Sequence, residues 1–135
     1  MKVGIVGTRS FDNYNLLKTI LYQNINIPDI EYIISGGAKG ADTLAEQFAT
    51  ENNIKTIIFK PDWIKYGKSA GFKRNIDIIK ESDIVFAFWN GKSKGTKHDI
   101  TIALEMNKKL IVIYYEENNK IEMFGFDNHK NNQYI

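Results

Sequence analysis

Three turns rich in glycine and hydroxyl residues, each following a short apolar run, hold the chemistry legible in this chain: Gly7-Thr8-Arg9-Ser10, Ser35-Gly36-Gly37-Ala38-Lys39-Gly40-Ala41-Asp42 and Gly91-Lys92-Ser93-Lys94-Gly95-Thr96. Glycine lets a backbone come close to a ligand. A helix that begins there presents unpaired N–H groups and the positive end of its dipole, so such a turn suits an anion, usually phosphate. The structural alternative is that any strand-to-helix connection favours Gly, Ser and Asp for capping and chain reversal, with Thr8 and Ser10 as caps and Arg9 as a surface charge. The second turn argues more strongly for binding, because two adjacent glycines, Lys39 and Gly40 leave a backbone free to wrap an anion, with Asp42 close behind. None of the three is a P-loop or a dinucleotide fingerprint, so Mg-dependent triphosphate hydrolysis has no support.

A fourth constellation, Trp63 to Asn75 (WIKYGKSAGFKRN), packs aromatics, glycines and basic side chains between a strand and a helix. Tyr66 or Trp63 can stack on a base, and Arg74 can fork across a phosphate or carboxylate. The bland alternative is a core Trp with Lys65, Lys68 and Lys73 on a solvated face. At the end of a later apolar run, Phe88 reads as core and Trp89 as a wall of the crevice.

These residues need elements to position them. Lys2 to Val6 reads as a strand, and Leu16, Leu17, Ile20 and Leu21 mark one face of a helix from Asn13 to Asn24. The unit recurs as strand Glu31–Ile34 with helix Ala41–Asn52, strand Lys55–Phe59 with a helix from about Ser69 to Glu81, and strand Asp83–Phe88 with helix Thr96–Asn107. Leu110–Tyr115 is a fifth strand. Apolar strands alternating with amphipathic helices predict a doubly wound, Rossmann-like α/β domain: a mostly parallel five-stranded sheet of order 3-2-1-4-5, helices on both faces. Ligands of such sheets bind beyond the carboxyl ends of the strands, where the winding reverses, and this order brings the turns after strands one, two and four to one edge. Ile121, Met123, Phe124 and Phe126 form a packed tail or edge strand, a candidate contact for a homo-oligomer. The domain is expected over 1–126, with 127–135 as a loose tail.

A length of 135 residues suits one domain, and 43% hydrophobic with 25% charged residues is ordinary globular composition. The absence of cysteine removes disulfides, thiolate nucleophiles and cysteine-ligated metals. Two histidines leave little for a histidine site, so neither a metal nor a cofactor is expected. A formal charge of +2 is too small for composition to argue a nucleic-acid binder. No apolar run approaches the roughly 20 residues of a membrane span and no signal-peptide pattern opens the chain, which predicts a cytoplasmic protein.

The segments GTRSF, SGGAKGAD, PDW…YGK.AGF.RN and FW.GKSKGT, in order between about residues 3 and 113, resemble the small YspA-like members of the SLOG superfamily of Rossmann-like nucleotide-related ligand binders. That superfamily includes the phosphoribohydrolases called LOG, the DNA-processing protein DprA, molybdenum-cofactor carriers, and anti-phage sensor domains that bind NAD-derived messengers. The turns, the aromatics and this resemblance together give a candidate ligand site on Gly7, Thr8, Arg9, Ser10, Ser35, Gly36, Gly37, Lys39, Gly40, Asp42, Tyr66, Arg74, Asn75, Trp89, Ser93, Gly95 and Thr96. Against the LOG motif, Gly95 and Thr96 match, Ser93 stands at a glycine position, Asp99 falls where a catalytic glutamate would be, and Arg74 resembles the assisting arginine. The leading expectation is a domain that binds a phosphorylated nucleoside or NAD-derived small molecule, for sensing or for sequestration in a phage or anti-phage setting. The alternatives are an N-glycosidic hydrolase of nucleoside monophosphates, with Arg74 and Asp99 catalytic, and DprA-like binding of single-stranded nucleic acid. This last reading draws on Lys39, Lys65, Lys68, Lys92, Lys94 and Lys97 interleaved with Tyr66, Phe72 and Trp89. With so small a net charge, nucleic acid is the unlikely partner.

Overall fold

A computed structural model describes residues 1–116, 120–126 and 133–134. Its sheet has the order β3-β2-β1-β4-β5-β6-β7. The central strands β1 (Lys2–Gly7), β4 (Ile84–Trp89) and β5 (Lys109–Tyr115) run parallel, as do β2 (Tyr32–Ser35) and the edge strand β3 (Lys55–Ile58). Side chains of a strand alternate between faces, so a continuous apolar run feeds two cores at once. Val3 and Ile5 of β1, Ile84, Phe86 and Phe88 of β4, and Ile111 and Ile113 of β5 enter one core. Val6, Val85, Ala87, Leu110 and Val112 enter the other.

The first core is covered by α1 (Tyr14–Asn24), through Leu17, Ile20 and Leu21, and α2 (Ala41–Glu51), through Ala45, Phe48 and Ala49. The second is covered by α4 (Ala70–Glu81), through Ile78 and Ile79, and α5 (Lys94–Glu105), through Ile102 and Ala103. The helices after β1 and β4 therefore lie on opposite faces, because the chain winds outward from the β1–β4 pair in both directions. A crevice opens at the carboxyl ends of those two strands.

The parallel part of the sheet has the expected order. Two further strands extend it: β6 (Ile121–Phe126) runs antiparallel to β5, and β7 (Gln133–Tyr134) antiparallel to β6. Covering the outer edge of β5 in this way satisfies backbone groups that would otherwise be open to a passing strand. The apolar group at 121–126 is thus an internal strand, which sequence left open because Met123 and Phe124 are adjacent and break the period of two. The expected loose tail falls mainly outside the described residues. Between β3 and α4 the chain forms one short helical turn, α3 (Trp63–Tyr66), capped by Asp62, whose Oδ1 accepts from Lys65 N at 3.0 Å. Trp63 is exposed there. No helix among the described residues is long and apolar enough to cross a membrane.

Candidate functional site

Backbone contact brings the three turns together. Thr8 N donates to Phe88 O at 2.9 Å, and Thr8 Oγ1 accepts from Asn90 N at 3.4 Å, which places the first turn on the end of β4. Gly40 has φ +78°, and a Cβ there would fall on the carbonyls of Thr8 and Arg9. A Cβ on Gly7 would meet the Ala41 Cβ and Phe88 O, each at 2.7 Å. Glycine at 7 and 40 is therefore required for packing turn on turn, a close approach that any larger residue would block.

A cavity of about 230 Å³ lies between these turns and the first two turns of α4. Arg9 reaches it from the first turn, and Lys68 and Arg74 from the continuous helical stretch before and within α4; Gly7, Asp42, Asn75, Ser93, Gly95, Thr96 and Asp99 also line it. The Arg74 guanidinium is fixed on two sides: Nη1 donates to Gly36 O and Nε donates to Asn75 Oδ1, both at 2.8 Å. A Cβ on Gly36 would fall on that guanidinium, so Gly36 clears the space in which Arg74 lies. Across the cavity α5 begins. Ser93 caps it, its Oγ accepting from Thr96 N at 3.3 Å, while Asn90 Oδ1 accepts from the N–H groups of Lys92 and Ser93 at 2.9 Å each. The loop is shaped by its own side chains, and the N–H groups of Lys94 and Gly95 remain as first-turn donors that a helix cannot satisfy internally.

Two buried carboxylates complete the cavity. Asp42 Oδ2 accepts from Ala38 N at 3.0 Å and holds the second turn closed; burial raises its pKa, opposed by that N–H and by Arg74. Asp99 is 5% exposed, and its Oδ1 has no hydrogen-bond partner. Burial first, then the charge of Asp42, pushes its pKa up to about 8, with Arg74 opposing. At neutral pH Asp99 is therefore mostly protonated and places little negative charge against the cations.

Other expected site residues lie elsewhere. Thr8 and Ser35 are buried beneath the turns, Gly37 packs against Ile58, and Lys39 is exposed on the rim. Tyr66 lies outside the cavity, with the ammonium groups of Lys65 and Lys73 5.1 and 5.6 Å from its ring centre. Trp89 is engaged structurally, Nε1 donating to Ser93 O at 3.0 Å and the ring standing edge-on to Tyr114. Ser10 lines a second, larger cavity. The site also contains Ala38, Lys68, Gly71 and Phe72, whose exposed ring meets His98 edge-on at 4.4 Å. Lys68 had been read as part of a solvated face. The signal that finds it is helical spacing: Lys68, Gly71, Asn75 and Ile78 fall three or four residues apart and share one face.

Residues 1–66 match the model of the YspA, cpYpsA-related SLOG family. The gene 61 protein of Mycobacterium phage D29 is 36% identical over 72 residues, 49% of this chain and 58% of that protein. Among solved structures, DNA processing protein A (DprA) from Streptococcus pneumoniae superposes with a TM-score of 0.67 at 20% identity, over 81% of this chain and 48% of that one. DNA processing protein A from Helicobacter pylori, solved for its mode of binding single-stranded DNA, gives 0.64 at 26% identity, over 95% of this chain and 69% of that one. The chain thus spans little more than half of the phage protein and about half of the pneumococcal one.

These neighbours overturn the expectation of a phosphorylated nucleoside or NAD-derived small molecule as partner, and the exclusion of nucleic acid with it. The physical reason is that net charge does not report local arrangement: two arginines and a lysine meet here beside a carboxylate that burial neutralises. The first 66 residues are thus similar to the YspA-related SLOG family, and the fold over most of the chain is similar to that of the DprA proteins.

Proposed function

We propose that this protein binds single-stranded DNA along the carboxyl edge of its sheet, in the cytoplasm, holding backbone phosphates in the cavity of Arg9, Lys68 and Arg74. The observation that carries the reading is the fixed guanidinium of Arg74, braced by Gly36 O and Asn75 Oδ1 beside the N-terminus of α5. A pre-positioned fork and helix N–H donors suit a phosphate diester without requiring a particular base. Further lysines line the same edge: Lys39 follows β2, Lys60 follows β3, and Lys92 and Lys94 follow β4. The likeness to DprA proteins, one of them described by its binding of single-stranded DNA, supports the same partner.

The test is fluorescence anisotropy of a labelled oligonucleotide titrated with protein across a salt series. About three neutralised phosphates give a slope of log K against log salt near −2 for a single strand, and Arg74→Ala lowers affinity for all sequences while reducing that slope by about 1. Absence of saturable binding at low salt, or binding indifferent to salt and to Arg74, refutes the reading.

A further inference from the structure

A larger cavity, about 690 Å³, lies beside the one that collects the cations. It lies on the α1 side of the β1–β4 crevice, walled by the turn from Ser10 to Asn13, by Asn90 and Lys92, and by Tyr114, Tyr115 and Glu116 at the end of β5. Arg9 lines the smaller cavity and Ser10 the larger; Ser93 lines the smaller and Lys92 the larger. Consecutive Cα atoms are about 3.8 Å apart, so only the thickness of two backbone loops separates the two spaces. A strand whose phosphate occupies the first has its neighbouring base within reach of the second.

The chemistry of the two spaces differs. The larger has an aromatic side, where Tyr115 packs on Phe11 with ring centres 5.0 Å apart; Tyr114, the preceding residue of β5, faces the other way and meets Trp89. Its charged groups are Asp12, Glu116 and Lys92, a net negative set that repels phosphate. Ionised carboxylates only accept hydrogen bonds, and one oxygen of Glu116 already accepts from the Tyr114 hydroxyl at 3.2 Å. An occupant must therefore be flat, uncharged and rich in N–H donors.

We infer that this second cavity seats a nucleobase bearing an exocyclic amino group, stacked on Tyr115 and donating to Asp12 or Glu116, from the same strand whose phosphate lies against Arg74. The inference rests on the single-stranded DNA reading and adds to it a base preference: adenine and cytosine over thymine, which lacks the amino group.

Anisotropy titrations of dA12, dC12, dT12 and an abasic 12-mer at one salt concentration test it. Loss of one stacked, hydrogen-bonded base is expected to weaken binding roughly tenfold, so dA12 and dC12 bind about tenfold tighter than the abasic strand, with dT12, which stacks but carries no amino group, in between. The double variant Asp12→Ala, Glu116→Ala, which removes both acceptors, abolishes the preference for dA12 over dT12, and any gain from the lost negative charge is shared by all strands, the abasic one included. Tyr115→Leu brings every sequence towards the abasic level, and Tyr115→Phe retains dA12 binding. Equal binding of all four strands by the unaltered protein, or a preference for dA12 that survives the double variant, overturns the base cavity while leaving the phosphate site standing. Failure of all four strands to bind overturns both.

Discussion

At the scale of single residues, the site depends on how Arg74 and Asp99 are held. Gly36→Ala changes no charge, yet its methyl group would occupy the guanidinium position and force Arg74 away from Gly36 O. Its expected effect is a loss of DNA affinity approaching that of Arg74→Ala, about tenfold, with a small change in thermal stability, read by anisotropy and differential scanning calorimetry. Asp99 carries a pH dependence whose sign can be worked out. Its folded pKa of about 8 lies above the unfolded value of about 3.8, so the folded state holds the extra proton between those values and stability falls as pH rises from about 4 to about 8. Asp99→Asn is expected to flatten this slope and to stabilise the protein above pH 8 by about 1–3 kcal/mol, measured by urea denaturation at several pH values. DNA affinity follows the same proton. It weakens in the unaltered protein above pH 8, where Asp99 gains charge beside the phosphate, and weakens less in Asp99→Asn.

At the scale of elements, two helix caps separate stability from function. Asn13 Oδ1 accepts from Leu16 N at 3.0 Å and caps α1, while Ser93 caps α5 at the cavity wall. Alanine at either position costs about 1 kcal/mol by loss of a cap. Only Ser93→Ala is expected to weaken DNA binding, because of these two helices only α5 directs its first turn at the phosphate cavity. Matched denaturation and anisotropy measurements on the two variants check this, and equal binding by both would place the phosphate elsewhere. The start of α5 also differs in its boundary from the sequence reading. The segment reads as a phosphate loop opening a helix at Thr96, yet the helix begins at Lys94 and much of the loop's hydrogen bonding goes to Asn90 and Ser93.

At the scale of the whole molecule, stability is concentrated in the middle of the sheet. β1 and β4 are buried on both faces, and Phe88 stacks on Phe11 at 4.8 Å beneath the crevice, whereas β3 is largely exposed. Hydrogen exchange followed by mass spectrometry is expected to show the slowest amides in β1 and β4 and early exchange in β3 and α3. Phe88→Ala, which empties a fully buried site, is expected to cost about 3–5 kcal/mol in denaturant titration. A rigid centre with its loops displayed at one edge lets residues as distant as Arg9 and Asp99 act on one guest.

Residue order alone determined the parallel sheet, the two helical faces and the family resemblance. Each depends on local periodicity and on turn chemistry written within a dozen residues. The placement of Arg74 against Gly36, the protonated state of Asp99 and the entry of Lys68 into the cavity depend on contacts between segments 30 or more residues apart. The partner reading failed for the same reason: composition sums charge over the whole surface, whereas binding responds to the few charges that folding gathers and to the carboxylate that burial neutralises.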